Sequence, residues 1–223
     1  MNPLIIIGAG GQGREVAQCV QDINRIQDTW KLIGYVDDNE DIHGMKLNDI
    51  PVLGSLKWLT KEAIRDVYVV CAIGSSFVRR STLDRIERTG LAPRYATIIH
   101  PTSVIAEDAD ISEGAIVCAH TIVSTNVKLD KHVIINYGAS IGHDSTLRTC
   151  VTILPGARIS GHVLLESGCD IGSNAVVIPM NTIGENTIVG AGAVVTRSLP
   201  PFCTAVGVPA KPIKYHNIIH NSR

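Results

Sequence analysis

Aromatic side chains are scarce: phenylalanine, tryptophan and tyrosine make up 4% of 223 residues. Large rings dominate most globular cores, so this interior has to be filled by thinner groups. Charge of one sign is also lacking, because 20 basic and 21 acidic residues leave a formal charge of −1. That balance offers no basic stripe for nucleic acid and no polybasic segment for an anionic membrane. Long apolar runs are missing as well. Pro3-Leu4-Ile5-Ile6-Ile7 is too short for a signal-peptide core or a membrane span. The six cysteines, Cys19, Cys71, Cys118, Cys150, Cys169 and Cys203, are irregularly spaced and form no C-x-x-C pair. They read as buried free thiols in a reducing compartment. The expectation is a soluble, cytoplasmic protein.

What is abundant is a six-residue rhythm. Ile105, Ile111, Val117, Val123, Leu129, Ile135, Ile141, Leu147, Ile153, Ile159, Leu165, Ile171, Val177, Ile183, Val189 and Val195 are all aliphatic and all six apart. Four residues after each anchor the side chain is small or β-branched, from Ala109 to Ala193, with Asn181 the awkward member. A period of six fits neither an α-helix nor a two-faced strand. It fits a parallel β-helix of hexapeptides, with three short faces per coil and roughly 4.8 Å between coils. One coil is then about eighteen residues, and the frame runs unbroken.

The first part of the chain has a different texture. Leu4–Ile7 reads as a buried strand, followed at once by Gly8-Ala9-Gly10-Gly11-Gln12-Gly13 and by Val16, Val20 and Ile23 at helical spacing. Glycines 8, 10 and 13 match the G-x-G-x-x-G pattern between strand and helix, where backbone N–H groups can meet phosphate. A tight ligand-free turn is the competing reading. A second strand over 32–36 ends in Asp37-Asp38, where such folds place a ribose-binding acid; a solvated turn is the plain alternative. The spacing further predicts a short strand at 51–54, a helix at about 55–62, a strand at 67–72 closed by Gly74, a helix at 77–88 and a last strand at 95–99. Residues 1–98 thus read as a Rossmann-like α/β domain, 99–215 as the β-helix domain and 216–223 as a polar tail, with the prolines from Pro200 onward stopping the coil.

A prism filled with aliphatics leaves only its corners and outer faces for chemistry. Stacking at eighteen puts Gly161 beside His143, a residue without a side chain next to an imidazole. Histidine suits proton transfer near neutral pH, and the adjacent Asp144 can orient the ring. Two polar residues at an exposed corner is the equal alternative, since His120, His132 and His162 also fall at corners. Asn136 reads as outward-pointing. No histidine pair has the linear spacing of a zinc site, so no metal is expected.

The glycine-rich α/β start, the run Ile135-Asn136-Tyr137-Gly138-Ala139-Ser140-Ile141-Gly142-His143-Asp144, the stretch Val189–Val195 and Gly207-Val208-Pro209-Ala210-Lys211 carry a resemblance that covers nearly the whole chain. They resemble the sialic-acid O-acetyltransferase group of sugar O-/N-acyltransferases. That group includes the bacterial nucleotide-4-amino-sugar N-acetyltransferases of the perosamine and bacillosamine type. The resemblance implies a left-handed β-helix, acetyl-CoA as co-substrate, and a homotrimer with sites between subunits. It implies His143 as base assisted by Asp144, and Asn136 near the sugar. Acetyl-CoA would pass Thr152, Gly161, Ser173 and Ala191. The nucleotide would meet Gly10, Gly11, Gln12, Asp37, Asp38 and Gly74. The chain departs from some members in having Thr152 for histidine and Asp144 for glutamate. The activity implied is N-acetylation of a nucleotide-linked 4-amino-4,6-dideoxy sugar for surface-glycan synthesis. O-acetylation of a sialic acid, an NAD-dependent sugar enzyme using glycines 8, 10 and 13, and a non-catalytic scaffold are the alternatives.

Overall fold

A computed structural model describes residues 1–60 and 65–216. The chain opens with β1 (Asn2–Ile7), α1 (Gly11–Ile26), β2 (Trp30–Val36), β3 (Lys46–Leu47), β4 (Ile50–Gly54), β5 (Tyr68–Cys71), α2 (Ser76–Arg88) and β6 (Arg94–Tyr95). These strands form one sheet in the order β3-β4-β2-β1-β5-β6, parallel except for the β3–β4 hairpin. The apolar run Leu4–Ile7 is central and fully buried, as expected of a parallel strand covered on both faces. The helix expected near 55–62 is a 3-10 helix over Leu56–Thr60, and its remainder falls outside the described residues.

The strand expected at 95–99 is two strands in two sheets. Tyr95 ends β6, while Ile98–Ile99 (β7) pairs with Ile116–Val117 in the prism. The prism therefore begins one hexapeptide earlier than the anchor series starting at Ile105. Its first face stacks Ile98, Ile116, Ile134, Thr152, Asp170 and Ile188; its second stacks Val104, Ile122, Ser140, Arg158, Val176 and Val194; its third stacks Asp110, Lys128, Thr146, Leu164 and Thr182. Within these stacks every register pairs residue n with n+18, for example Ser140 with Arg158.

Fourteen of the sixteen anchors are buried, while Ile105 and Ile111 at the open first coil are only partly so. Fully burying an aliphatic side chain contributes roughly 1.5–3 kcal/mol, so the stacked column is a large share of the prism's stability. Asn181 is accommodated because its amide donates to the carbonyls of Ile178 and Pro179 at 3.0 and 3.1 Å. The corners turn through a left-handed residue every six positions; Asn126, Asp144 and His162 have φ of 54°, 58° and 54°. Pro200 and Pro201 break the rhythm but do not end the sheet. Cys203–Val206 continues the first face beside Ile188–Val189, and Lys211–Tyr215 folds back on it antiparallel. All six cysteines are free and buried.

The α/β domain sits on the first face. Val16, Val20 and Cys19 of α1 share one apolar cluster with Ile98, Ile116, Cys118 and Ile134. From α2, the fully buried Arg79 donates from Nε to the His132 carbonyl at 3.1 Å and from Nη2 to the Cys150 carbonyl at 2.8 Å. Ser76 donates to the Gly168 carbonyl at 2.8 Å. Residues 132, 150 and 168 are one corner column, so α2 runs along the stack as a clip.

Candidate active site

At the corner between the second and third faces, the His143 Nδ1 lies 2.7 Å from Asp144 Oδ2. An ionised carboxylate only accepts, so Nδ1 carries the proton and Nε2 is left as the acceptor. The hydrogen bond from His143, aided by the Asn126 amide at 3.2 Å from Oδ1, holds the Asp144 carboxyl below the usual range. The eighteen-residue stacking expected from sequence is present in detail. A Cβ added to Gly161 would come within 2.6 Å of both Cε1 and Nε2 of His143. The ring can take this position only because residue 161 has no side chain. His162, one coil above Asp144, places Nε2 3.4 Å from the same Asp144 oxygen, and its ring stands at 90° to that of His143. Among the described residues, His143, Asp144 and His162 form a group whose ligand atoms all lie within 4.8 Å, which sequence spacing did not reveal.

Ser173 and Ala191 are stacked at the next corner, between the first and second faces, so they and the His143–Gly161 column flank the same outer sheet. Ala191 is exposed and Ser173 half-buried. Thr152 is a correction. It lies on the first face under the α/β domain and is 1% exposed. Its hydroxyl donates to the Gly74 carbonyl at 2.9 Å and accepts from Arg79 Nη2 at 2.9 Å. No Thr152 surface remains for a cofactor. Asn136 is also buried: it is 2% exposed, with its amide donating to the Ile153 carbonyl at 3.1 Å.

The glycine-rich loop borders a cavity of about 350 Å³ lined by Gly8, Gly10, Gly11, Gln12, Asp37, Asp38 and Gly74, together with Ile73, Thr82 and Arg85. Gly13 lets the helix meet the strand, since a Cβ there would lie 2.0 Å from the Gly8 carbonyl oxygen. Cβ atoms on Gly10 or Gly11 would meet nothing within 4 Å. These two positions therefore face open space at the start of α1, where N–H groups favour an anion. Asp37 organises the loop: its oxygens accept the N–H groups of Ala9 and Asn39 at 2.8 and 2.9 Å. Asp38 is partly desolvated, which alone would raise its carboxyl, but Arg85 at 2.7 Å and the Leu56 N–H outweigh this and hold it low. Arg85 was not anticipated; nothing in the linear pattern marks it, because its partner is 47 residues away.

The expected site residues thus fall into two groups. The cavity group lies with the α/β domain over the first face. The His143 group occupies the corner opposite that face, with the prism between them.

The chain is similar to known proteins along nearly its whole length. The PglD N-terminal domain matches residues 3–86. A GDP-perosamine N-acetyltransferase of Escherichia coli O157:H7 is 33% identical over 221 residues, covering 96% of this chain and 97% of its own. Among solved structures, PerB from Caulobacter crescentus in complex with CoA and GDP-perosamine superposes with a TM-score of 0.85 at 29% identity, covering 95% of this chain and 97% of that one. The acetyltransferase domain of PglB from Neisseria gonorrhoeae in complex with acetyl coenzyme A gives 0.85 at 30% identity, covering 96% and 100%.

Proposed function

Because the chain belongs to the family of GDP-perosamine N-acetyltransferase, we propose that it acetylates the amino group of a nucleotide-linked 4-amino-4,6-dideoxy sugar. It is an acyltransferase of the left-handed β-helix class, and its acyl donor is acetyl-CoA. The observation that carries the reading at residue level is the His143–Asp144 pair resting on Gly161.

In this reading the free amine attacks the thioester carbonyl, forming the C–N bond. The Gly161 N–H bears the developing oxyanion charge. Nε2 of His143 takes the proton that the amine loses, Asp144 stabilises the imidazolium, the C–S bond breaks and the thiolate leaves with a proton. The buried thiols have no part in it. The cavity over the Gly8–Gly13 loop holds the nucleotide diphosphate, with residues 1–98 as the nucleotide-sugar domain and 99–215 as the acyl-transfer domain. Gly161, Ser173 and Ala191 line the donor's path.

The prism separates the cavity from His143 within one chain, which supports a site completed by a second copy, in keeping with the homotrimer that the family resemblance implies. A cytoplasmic place in surface-glycan synthesis follows from a nucleotide-activated substrate. The test is thiol release from acetyl-CoA with GDP-, UDP- and dTDP-linked 4-amino sugars and free sialic acid. An amino sugar should be the acceptor, and His143→Ala should lower turnover by about 10²–10⁴. Near wild-type turnover in that variant overturns the assignment, and transfer to sialic acid alone overturns the acceptor class.

A further inference from the structure

We propose that the His143–Asp144–His162 corner binds a divalent transition-metal cation of the zinc type, and that the ion blocks acetyl transfer. The blocking half rests on the assignment of His143 as base; the binding half does not.

No linear zinc motif contains these residues. The coil brings them together, because residue 162 stacks over residue 144. Nδ1 of His143 and Nε2 of His162 lie 2.7 and 3.4 Å from one and the same oxygen of Asp144, and the three residues each offer a ligand atom within 4.8 Å of the others'. The two rings stand at 90° with centroids 5.2 Å apart, so they meet edge to face instead of stacking flat. The backbone holds the arrangement. The His162 N–H donates to the His143 carbonyl at 2.9 Å, and the Asp144 N–H to the Thr125 carbonyl at 3.1 Å. Asn126 orients the carboxylate from outside, as a supporting shell does in metal sites.

Two imidazoles and one carboxylate are the donor set of zinc sites with three protein ligands and an open position. Magnesium and calcium want more oxygens than this corner has. With bonds of about 2.0 Å, neighbouring ligands around zinc sit roughly 3.3 Å apart. The His162–Asp144 distance already matches, and the His143–Asp144 distance needs to open by about half an ångström. The side chains of His143, Asp144 and His162 are 55%, 35% and 53% exposed, so an ion can reach them from solvent. The cysteines, being buried, do not compete.

Ligation through Nδ1 has a chemical consequence. The proton now on Nδ1 must move to Nε2, and Nε2 is the nitrogen that faces Gly161 and takes the substrate's proton. A metal-bound His143 presents a donor where the reaction needs an acceptor.

The full chain, stripped of metal with a chelator, is titrated with zinc by calorimetry and with cobalt(II) by visible absorption. One ion per chain is expected, with affinity falling at least tenfold in both His162→Gln and His143→Gln, and with magnesium showing no binding. Zinc should inhibit the wild type reversibly, with EDTA restoring activity. Whatever metal-free activity His162→Gln retains should escape inhibition by zinc. Undiminished zinc affinity in the two variants overturns the site. Binding lost in both variants while zinc never inhibits the wild type overturns the blocking half. If His143→Gln keeps full turnover yet loses zinc, the metal site is supported and the base assignment fails, so the two readings fail separately.

Discussion

The imidazole of His143 rests on the backbone of Gly161, at a distance that leaves no room for a methyl group: a Cβ at 161 would lie 2.6 Å from Nε2. Gly161→Ala should therefore push the ring off its place while leaving the coil's backbone conformation allowed. Turnover with acetyl-CoA should fall by about 10²-fold, the scale of a misplaced reacting group, with a change in melting temperature of only a few degrees. Wild-type kinetics in this variant would show that the ring need not sit against residue 161.

Arg79 is a buried cation that donates hydrogen bonds to neutral acceptors: the carbonyls of Ile73, Gly74, His132, Cys150 and Val151 and the Thr152 hydroxyl. Arg79→Leu strands several of these groups at once. The expected loss is about 3–5 kcal/mol, the scale for breaking a buried charged network. Arg79→Lys should not restore it, because one ammonium cannot span the fork. Urea denaturation of the three proteins checks both statements.

Gly10→Val fills open space without a clash, so the fold should be untouched. The same side chain takes the place where phosphate would approach the start of α1. Calorimetric titration with nucleoside diphosphates should show at least a tenfold loss of affinity, visible in steady-state kinetics as a raised KM for the sugar. Unchanged nucleotide affinity would place the nucleotide elsewhere.

His132 gives the stability a pH dependence of definite sign. Burial, with the nearby Arg79 cation, pushes its pKa down to about 4 from an ordinary 6.5. The unfolded chain therefore takes up the proton first as the pH falls. Stability from this group is complete above about pH 6.5 and declines by up to roughly 3 kcal/mol between there and pH 4. His132→Asn tolerates the left-handed backbone at φ 60° and does not titrate. Its unfolding free energy should be flatter across that window than the wild type's, as measured by urea melts at several pH values. Equal slopes would show that His132 does not set them.

Much of the molecule was legible in the sequence because one short-range rule governs it. A six-residue period assigns each residue of the prism to the inside or the outside, and three periods place n+18 beside n. That alone put every anchor inward and set Gly161 against His143. The strand–glycine–helix start was equally local, since the needs of a tight turn are written in adjacent residues.

What the period could not say is which outward residues meet solvent. Thr152 and Asn136 are outward in the repeat yet buried, because the α/β domain covers the first face and no other. That choice rests on the fit of α1 to Ile98, Ile116 and Ile134 and on Arg79 and Ser76 of α2 together reaching three coils, all contacts between residues far apart in the chain. The same long-range packing joined Asp38 to Arg85, brought His162 to Asp144 through the stack, and set the glycine-loop cavity on the far side of the prism from His143. A periodic sequence fixes the faces of a prism; only burial of a particular face against a particular domain tells them apart.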